Sequence, residues 1–497
     1  MKPALSALWL AVLAAACARP APPVARGAAP APTATASAAP APAEPFRAER
    51  PQPGTPGQFE YPKPDVTVLE NGLSVYRVRR PSRVVTLALI VRHGASSEPE
   101  GKSGLAALTA RLLTEATKKK PPLALAEAVE SLGATLASGA SRDNSSVELT
   151  VLPEDLERGL SLLAEVVMEP AFGAAEFERV RAEWLDGLRA ERQSPQRLAV
   201  LTAVRSLHGE LLGSPVNGTI TAVERLTAAD LKAFHQRAYT PDRSALVVVG
   251  EFAEPALAAA VTRLFRPFRG KSQIAAPAAA APNTPASTRV LVVDRPGAVQ
   301  SAIAAVQAFP KREEPGHEAR ELLGRMLGGL FTSRLNTNLR EKHAYTYGAF
   351  AQPAAARHTG TLLVSSNVRT DVTAPALDEI TRELRKMRDP SLGEPLTRAE
   401  LERGKADLVF SLGATLEHPS RIADVIAENF AEGLPADYSA RYPSIVAGVT
   451  AEEVTRAAQA ITPERLLVVV VGDRAKVEPE LKKRGYAVET APETLLD

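Results

Sequence analysis

Histidine is a frequent metal ligand, and two histidines four positions apart on a helix lie on one face, where a single ion can bridge them. The chain has seven: His93, His208, His235, His317, His343, His358 and His418. None stands four residues from another. His317-Glu318-Ala319-Arg320-Glu321 begins like half of an H-E-x-x-H pair but lacks the second histidine. After Pro315-Gly316 it reads as an exposed helix start, and His343 reads as a surface residue. A catalytic zinc needs about three N, O or S donors from the protein and an open position for water. No histidine spacing here supplies them. The one cysteine, Cys17, leaves no disulfide possible within the chain. Lys118-Lys119-Lys120 reads as a solvated loop. With 59 basic and 57 acidic residues and a formal charge of +2, no nucleic-acid partner is expected.

The elements that would position a site fall into two similar halves. Thr240-Pro241-Asp242-Arg243-Ser244-Ala245-Leu246-Val247-Val248-Val249-Gly250 recurs 222 residues later as Thr462-Pro463-Glu464-Arg465-Leu466-Leu467-Val468-Val469-Val470-Val471-Gly472. Each copy follows a similar helix start, Leu226-Thr227-Ala228-Ala229-Asp230-Leu231 and Val449-Thr450-Ala451-Glu452-Glu453-Val454. Helix, Thr-Pro turn and β-branched strand ending in Gly form the repeated unit. Two homologous domains follow, 61–274 and 289–497, joined by a linker over 275–288 that contains Pro277, Pro282 and Pro285. Leu156–Val167 and Ala376–Met387 read as amphipathic helices. Thr86–Val91, Val147–Val151, Val290–Val293 and Thr361–Ser365 read as strands, and the class is α+β.

Residues 1–17 have the form of a secretory signal, Lys2 followed by an apolar run from Ala4 to Ala16. The run is too short for a lasting transmembrane helix. Leu13-Ala14-Ala15-Ala16-Cys17 resembles a bacterial lipobox, although the usual leucine three places before the cysteine is Ala14. Residues 18–60, rich in Ala and Pro, read as a disordered tether. The expectation is an exported protein of the bacterial envelope, anchored by lipid at Cys17 and facing the periplasm. If Cys17 is not lipidated, the protein is secreted.

Gly104-Leu105-Ala106-Ala107-Leu108-Thr109-Ala110-Arg111-Leu112-Leu113 resembles the first catalytic helix of the pitrilysin/insulinase metallopeptidases. That family places H-x-x-E-H in this frame. Ala107, Ala110 and Arg111 stand where the family has His, Glu and His. Phe177-Glu178-Arg179-Val180-Arg181-Ala182-Glu183-Trp184-Leu185-Asp186-Gly187 resembles the segment that carries the third ligand, and Gly187 stands at the ligand position. Alanine and glycine have no donor atom, and a guanidinium repels a dication. The resemblance covers the whole body after about Tyr61. It implies two pitrilysin/insulinase-like domains forming a bilobed half-chamber, with the zinc site degenerate and no cofactor in this chain.

Gly328-Gly329-Leu330-Phe331-Thr332-Ser333-Arg334-Leu335 and Asn338-Leu339-Arg340-Glu341-Lys342-His343-Ala344-Tyr345-Thr346-Tyr347 resemble two further family segments. The resemblance implies a substrate loop at Gly328, Gly329, Ser333 and Arg334. It also implies an Arg/Tyr pair, Arg340 and Tyr347, that binds the substrate backbone and steadies the tetrahedral intermediate. A guanidinium and a phenol suit that role as fixed donors to a developing oxyanion. Taken alone, Arg340 could form a helix-end ion pair and Tyr347 could fill core. Some members divide the work between two chains. The resemblance then implies a noncatalytic subunit with a zinc-bearing homologous partner, jointly cleaving unstructured peptides. The alternative is a catalytically dead peptide-binding or structural envelope protein of the same fold.

Overall fold

The computed structural model describes residues 59–277, 280–492 and 495. The signal-like segment, Cys17 and nearly all of the tether lie outside them. The described body contains two six-stranded sheets. In the first half the strands are β1 (Asp65–Val68), β2 (Ser74–Arg79), β3 (Val85–Val91), β4 (Thr135–Ala140), β5 (Ser145–Val151) and β6 (Ser244–Gly250). In the second they are β7 (Arg289–Asp294), β8 (Gln300–Ala308), β9 (Thr346–Ala355), β10 (Gly360–Arg369), β11 (Leu467–Gly472) and β12 (Ala487–Thr490).

The sheet orders are β1-β2-β6-β3-β5-β4 and β12-β7-β11-β8-β10-β9. Five strands of one map onto five of the other in order and direction. β2 runs parallel to β6 as β7 does to β11, and the remaining pairs of each five are antiparallel. The repeat seen in sequence is thus a repeat of topology. Only the sixth strand differs. β1 is antiparallel to β2, whereas β12 is parallel to β7. The repeated helix starts are both capping boxes, Thr227 with Asp230 and Thr450 with Glu453, in which each pair satisfies two orphan helix donors.

The first half also holds α1 (Leu105–Leu113), α2 (Pro122–Glu130), α3 (Leu156–Met168), α4 (Ala174–Glu191) and α5 (Pro195–Gly213). Each half packs its own helices on one face of its sheet. The other face is covered by the opposite half. The helix Pro419–Glu432 lays Ile422, Ile426 and Phe430 on β3 and β6, and α5 lays Ala199, Ala203 and Leu207 on β8 and β11. This exchange explains why every residue of β3, β6 and β11 is buried. An antiparallel strand with one face in water would alternate apolar and polar.

α5 bends at Gly209, whose φ of 73° breaks the helical ladder. Asn283 takes up the freed carbonyls: its backbone N–H donates to Leu207 and its side chain to Ser206. The segment between the halves is therefore docked at the α5 bend. Across the halves, the Arg357 N–H donates to Asp143 at 2.7 Å. Lys119 and Lys120 pair with Glu169 and Glu165 at 3.1 and 2.5 Å. Lys118 and Lys119 are exposed, as a solvated loop requires, and Glu165 of α3 and Glu169 just beyond it tether the loop. No helix among the described residues is long and apolar enough to cross a membrane.

Candidate functional site: a degenerate metal cleft and an exposed Arg/Tyr segment

α1 starts at Gly104, which has a φ of 95° and sits against the backbone of Asn217 and Gly218, where a Cβ would clash. The buried carboxylate of Glu98 caps the helix, accepting from the N–H groups of Gly104 and Ala106 at 3.2 and 2.8 Å. Burial raises its pKa to about 8 despite those bonds, because desolvation penalises the charged form. The helix is buried on every side except at Arg111. Ala107 and Ala110 are 4% and 0% exposed.

α4 brings Val180 and Gly187 alongside. A cleft of about 500 Å³ is lined by Arg111, Val180, Glu183, Trp184, Gly187 and Leu188, among others. A second, of about 560 Å³, shares Arg111 and runs along α2 and residues Leu136–Ser138 of β4, which is an open edge strand. Arg111 therefore stands between two hollows. Its guanidinium pairs with Glu115 one turn on, Glu115 also pairs with Arg179, and Arg179 pairs with Glu183 at 2.8 Å. This chain of alternating charge ties α1 to α4. Its first and last links are i,i+4 pairs, a spacing visible in sequence, whereas the Glu115–Arg179 link between them is not.

These residues do not fit a zinc ion. The three positions at which the resemblance implies ligands offer a methyl group, a hydrogen and a guanidinium already paired with Glu115. Among the described residues no group of three or more His, Cys, Asp or Glu side chains is placed to hold a metal. His93, His208 and His235 are buried, and burial lowers each pKa to about 4. His93 bonds Ser97 and Ser272, His208 bonds Thr361, and His235 bonds the Val167 carbonyl. His317 does begin a helix, His317–Gly324, but its side chain is 14% exposed and lies 3.6 Å from Glu321, so the exposed reading is corrected. His343 is likewise not a free surface residue: it stacks on Tyr345 with centroids 5.0 Å apart.

In the second half, Arg325–Gly329 and Thr337–Lys342 are π-helical turns, a geometry that often marks functional sites. Gly324 and Gly328 press directly on β9, where an added Cβ would meet Pro353 and Ala351. Gly329 is exposed and lines a cavity of about 360 Å³ with Phe350. Ser333 is buried, and its hydroxyl bonds the Asn336 amide. Arg334 pairs with Glu400 and donates to the Glu394 and Pro395 carbonyls. Of the expected substrate loop, then, Ser333 and Arg334 carry the fold, Gly328 is buried against β9 at the cavity wall, and Gly329 is exposed.

Arg340 donates from Nη2 to the Phe331 carbonyl at 2.9 Å and from Nε to Glu341 at 2.7 Å. Its guanidinium lies 3.4 Å from the centroid of the Phe331 ring. Tyr347, at the start of the edge strand β9, is 94% exposed. A core role for it is excluded. The competing Tyr345 is half-buried and packs against the second core. Between Arg340 and Tyr347, Ala344 turns the chain with a φ of 51°.

Two family models match this arrangement: "Insulinase (Peptidase family M16)" over residues 74–211 and "Peptidase M16 inactive domain" over residues 225–408. The chain belongs to peptidase family M16. Its M16 relatives include an "uncharacterized zinc protease" of Mycobacterium tuberculosis strain H37Rv. The two are 26% identical over 424 residues, covering 82% of this chain and 93% of the other. Subunit 1 of the mitochondrial cytochrome b-c1 complex of Bos taurus is 28% identical over 191 residues, 38% of this chain and 40% of the other. Among solved structures, a peptidase M16 inactive domain from Pseudomonas fluorescens superposes with a TM-score of 0.73 at 25% identity, covering 82% of this chain and 98% of that one. A Helicobacter pylori protease shares the fold with a TM-score of 0.76 at 20% identity, over 83% and 100%. Within the M16 fold, this chain is a member without the zinc motif.

Proposed function

We propose that this chain is the zinc-lacking subunit of a two-chain M16 peptidase and presents Arg340 and Tyr347 to a zinc-bearing homologous partner. The observation that carries the reading is the 94% exposure of Tyr347. A large aromatic side chain is left in water at the start of the edge strand β9. In the same chain the implied metal positions hold Ala107, Gly187 and Arg111, the last already paired with Glu115. The partner supplies the metal, the water and the base. In this chain Arg340 clamps a carbonyl of an extended, unstructured peptide, and the Tyr347 hydroxyl donates to the same group. The open edge of β4 suits an extended chain, which could add to the sheet there as a further strand. In this reading Cys17 carries the lipid that holds the protein at a bacterial membrane.

Mixing the chain with a zinc-motif homologue from the same cell tests the proposal. The pair is expected to cleave a quenched fluorescent peptide that neither cleaves alone. Arg340→Ala or Tyr347→Phe lowers kcat by about a hundredfold, the usual cost of one lost oxyanion donor, and leaves the dimer intact. Full activity in the double variant would reduce the chain to scaffold. One observation favours that second reading, a peptide-binding or structural protein: Arg340 is already engaged by Phe331 and Glu341.

A further inference from the structure

We propose that Asn338 is a positioning residue for Arg340 and Tyr347, held by a buried carboxylate pair, Glu379 and Glu383; this rests on the reading that Arg340 and Tyr347 serve a bound peptide. Asn338 lies two residues before Arg340, on the same π-helical turn. Its Nδ2 donates to Glu379 Oε2 at 3.0 Å and to Glu383 Oε1 at 2.7 Å. All three residues are buried, and the two glutamates sit one turn apart on the helix Thr373–Arg388. Arg382 and Lys386 neutralise the carboxylates from outside. Past Arg340, His343 stacks on Tyr345 and faces Glu379 at 3.8 Å. The segment is thus fastened on both sides of Arg340, before the left-handed turn at Ala344 leads to Tyr347.

Fold stability does not explain this arrangement. Asn338 spends its amide protons on the two carboxylates, and its Oδ1 is left buried with no partner. An unpaired buried polar atom is destabilising, and two adjacent carboxylates repel. Apolar residues of similar volume would hold the helix to the segment as well or better. What the network adds is direction. One amide with two charged acceptors has a single orientation, and the guanidinium two residues on inherits it.

The test replaces the network with apolar side chains: Asn338→Leu, Glu379→Met and Glu383→Leu together. Thermal stability is expected to stay level or rise, while amide exchange across residues 337–347 quickens several-fold in the chain alone. In the two-chain complex, with a quenched fluorescent peptide as probe, kcat falls by about tenfold to a hundredfold with KM little changed, as for a misplaced group. Glu379→Gln, which keeps an acceptor for Asn338, retains turnover. Asn338→Leu alone serves where the triple variant does not fold. Unchanged exchange overturns the proposal. A normal kcat in the triple variant, beside a lowered one in Arg340→Ala, also overturns it and leaves the two-chain reading standing. An Arg340→Ala complex of full activity overturns both.

Discussion

Arg111 of α1 and Gly187 of α4 line one cleft of about 500 Å³. In the proposed reading they stand at two of the positions where a zinc-bearing homologue places its ligands. A Cβ added at Gly187 meets nothing within 4 Å, so a longer side chain fits there without rearrangement.

Restoring the donors is expected to restore the metal. Ala107→His, Arg111→His and Gly187→Glu together provide three ligands with one position left for water. Metal analysis of the purified variant gives about one zinc per chain, and the wild type gives none. A folded variant that holds no zinc would mean that α1 and α4 do not face each other in the required register.

Glu98 makes stability depend on pH. Burial raises its pKa from the ordinary 4.5 to about 8. A raised folded-state pKa favours the protonated form, so the contribution is complete below about pH 4.5 and is lost as pH rises through about 8. Relative to Glu98→Gln, the wild type loses on the order of 3 kcal/mol between about pH 5 and about pH 9. Chemical unfolding of both proteins across that range measures it, and parallel curves would refute it.

Gly328 and Gly329 separate on substitution, though they are adjacent and similar in sequence. At Gly328 a Cβ runs into the Ala351 backbone, whereas at Gly329 the nearest atom is the flexible Arg325 Cδ at 3.0 Å. Gly328→Ala costs about 1–3 kcal/mol or more by overpacking. Gly329→Ala stays within about 0.5 kcal/mol, as surface changes do. Thermal unfolding distinguishes them, and equal losses would contradict the close approach of this turn to β9.

Ala344→Gly is expected to stabilise the fold. A left-handed alanine costs about 1–2 kcal/mol, and glycine's larger unfolded-state entropy returns part of the gain. The net rise is about 0.5–1 kcal/mol, read as a shifted unfolding midpoint. A loss would show that the turn between Arg340 and Tyr347 does not need its left-handed residue.

Much of the fold was legible because it is written in local pattern. The Thr-Pro turn with its β-branched strand appears twice, and the matching strand orders follow it. The four positions Ala107, Ala110, Arg111 and Gly187 are picked out by the family resemblance of their segments, and the lack of a metal donor there needs no coordinates to be recognised. Which partners a side chain takes depends on contacts between residues far apart in sequence, and these the order of residues does not display. The cover of each sheet by the other half's helix joins Phe430 to β3 and Leu207 to β11 across such distances. The grip of Glu379 and Glu383 on Asn338, and the bond from Arg334 to Glu400, are of the same kind. Tyr345 and Tyr347 are identical in type and two residues apart. Only the packing of the second core against one and not the other leaves Tyr347 in water, because exposure is set by what the rest of the chain folds over.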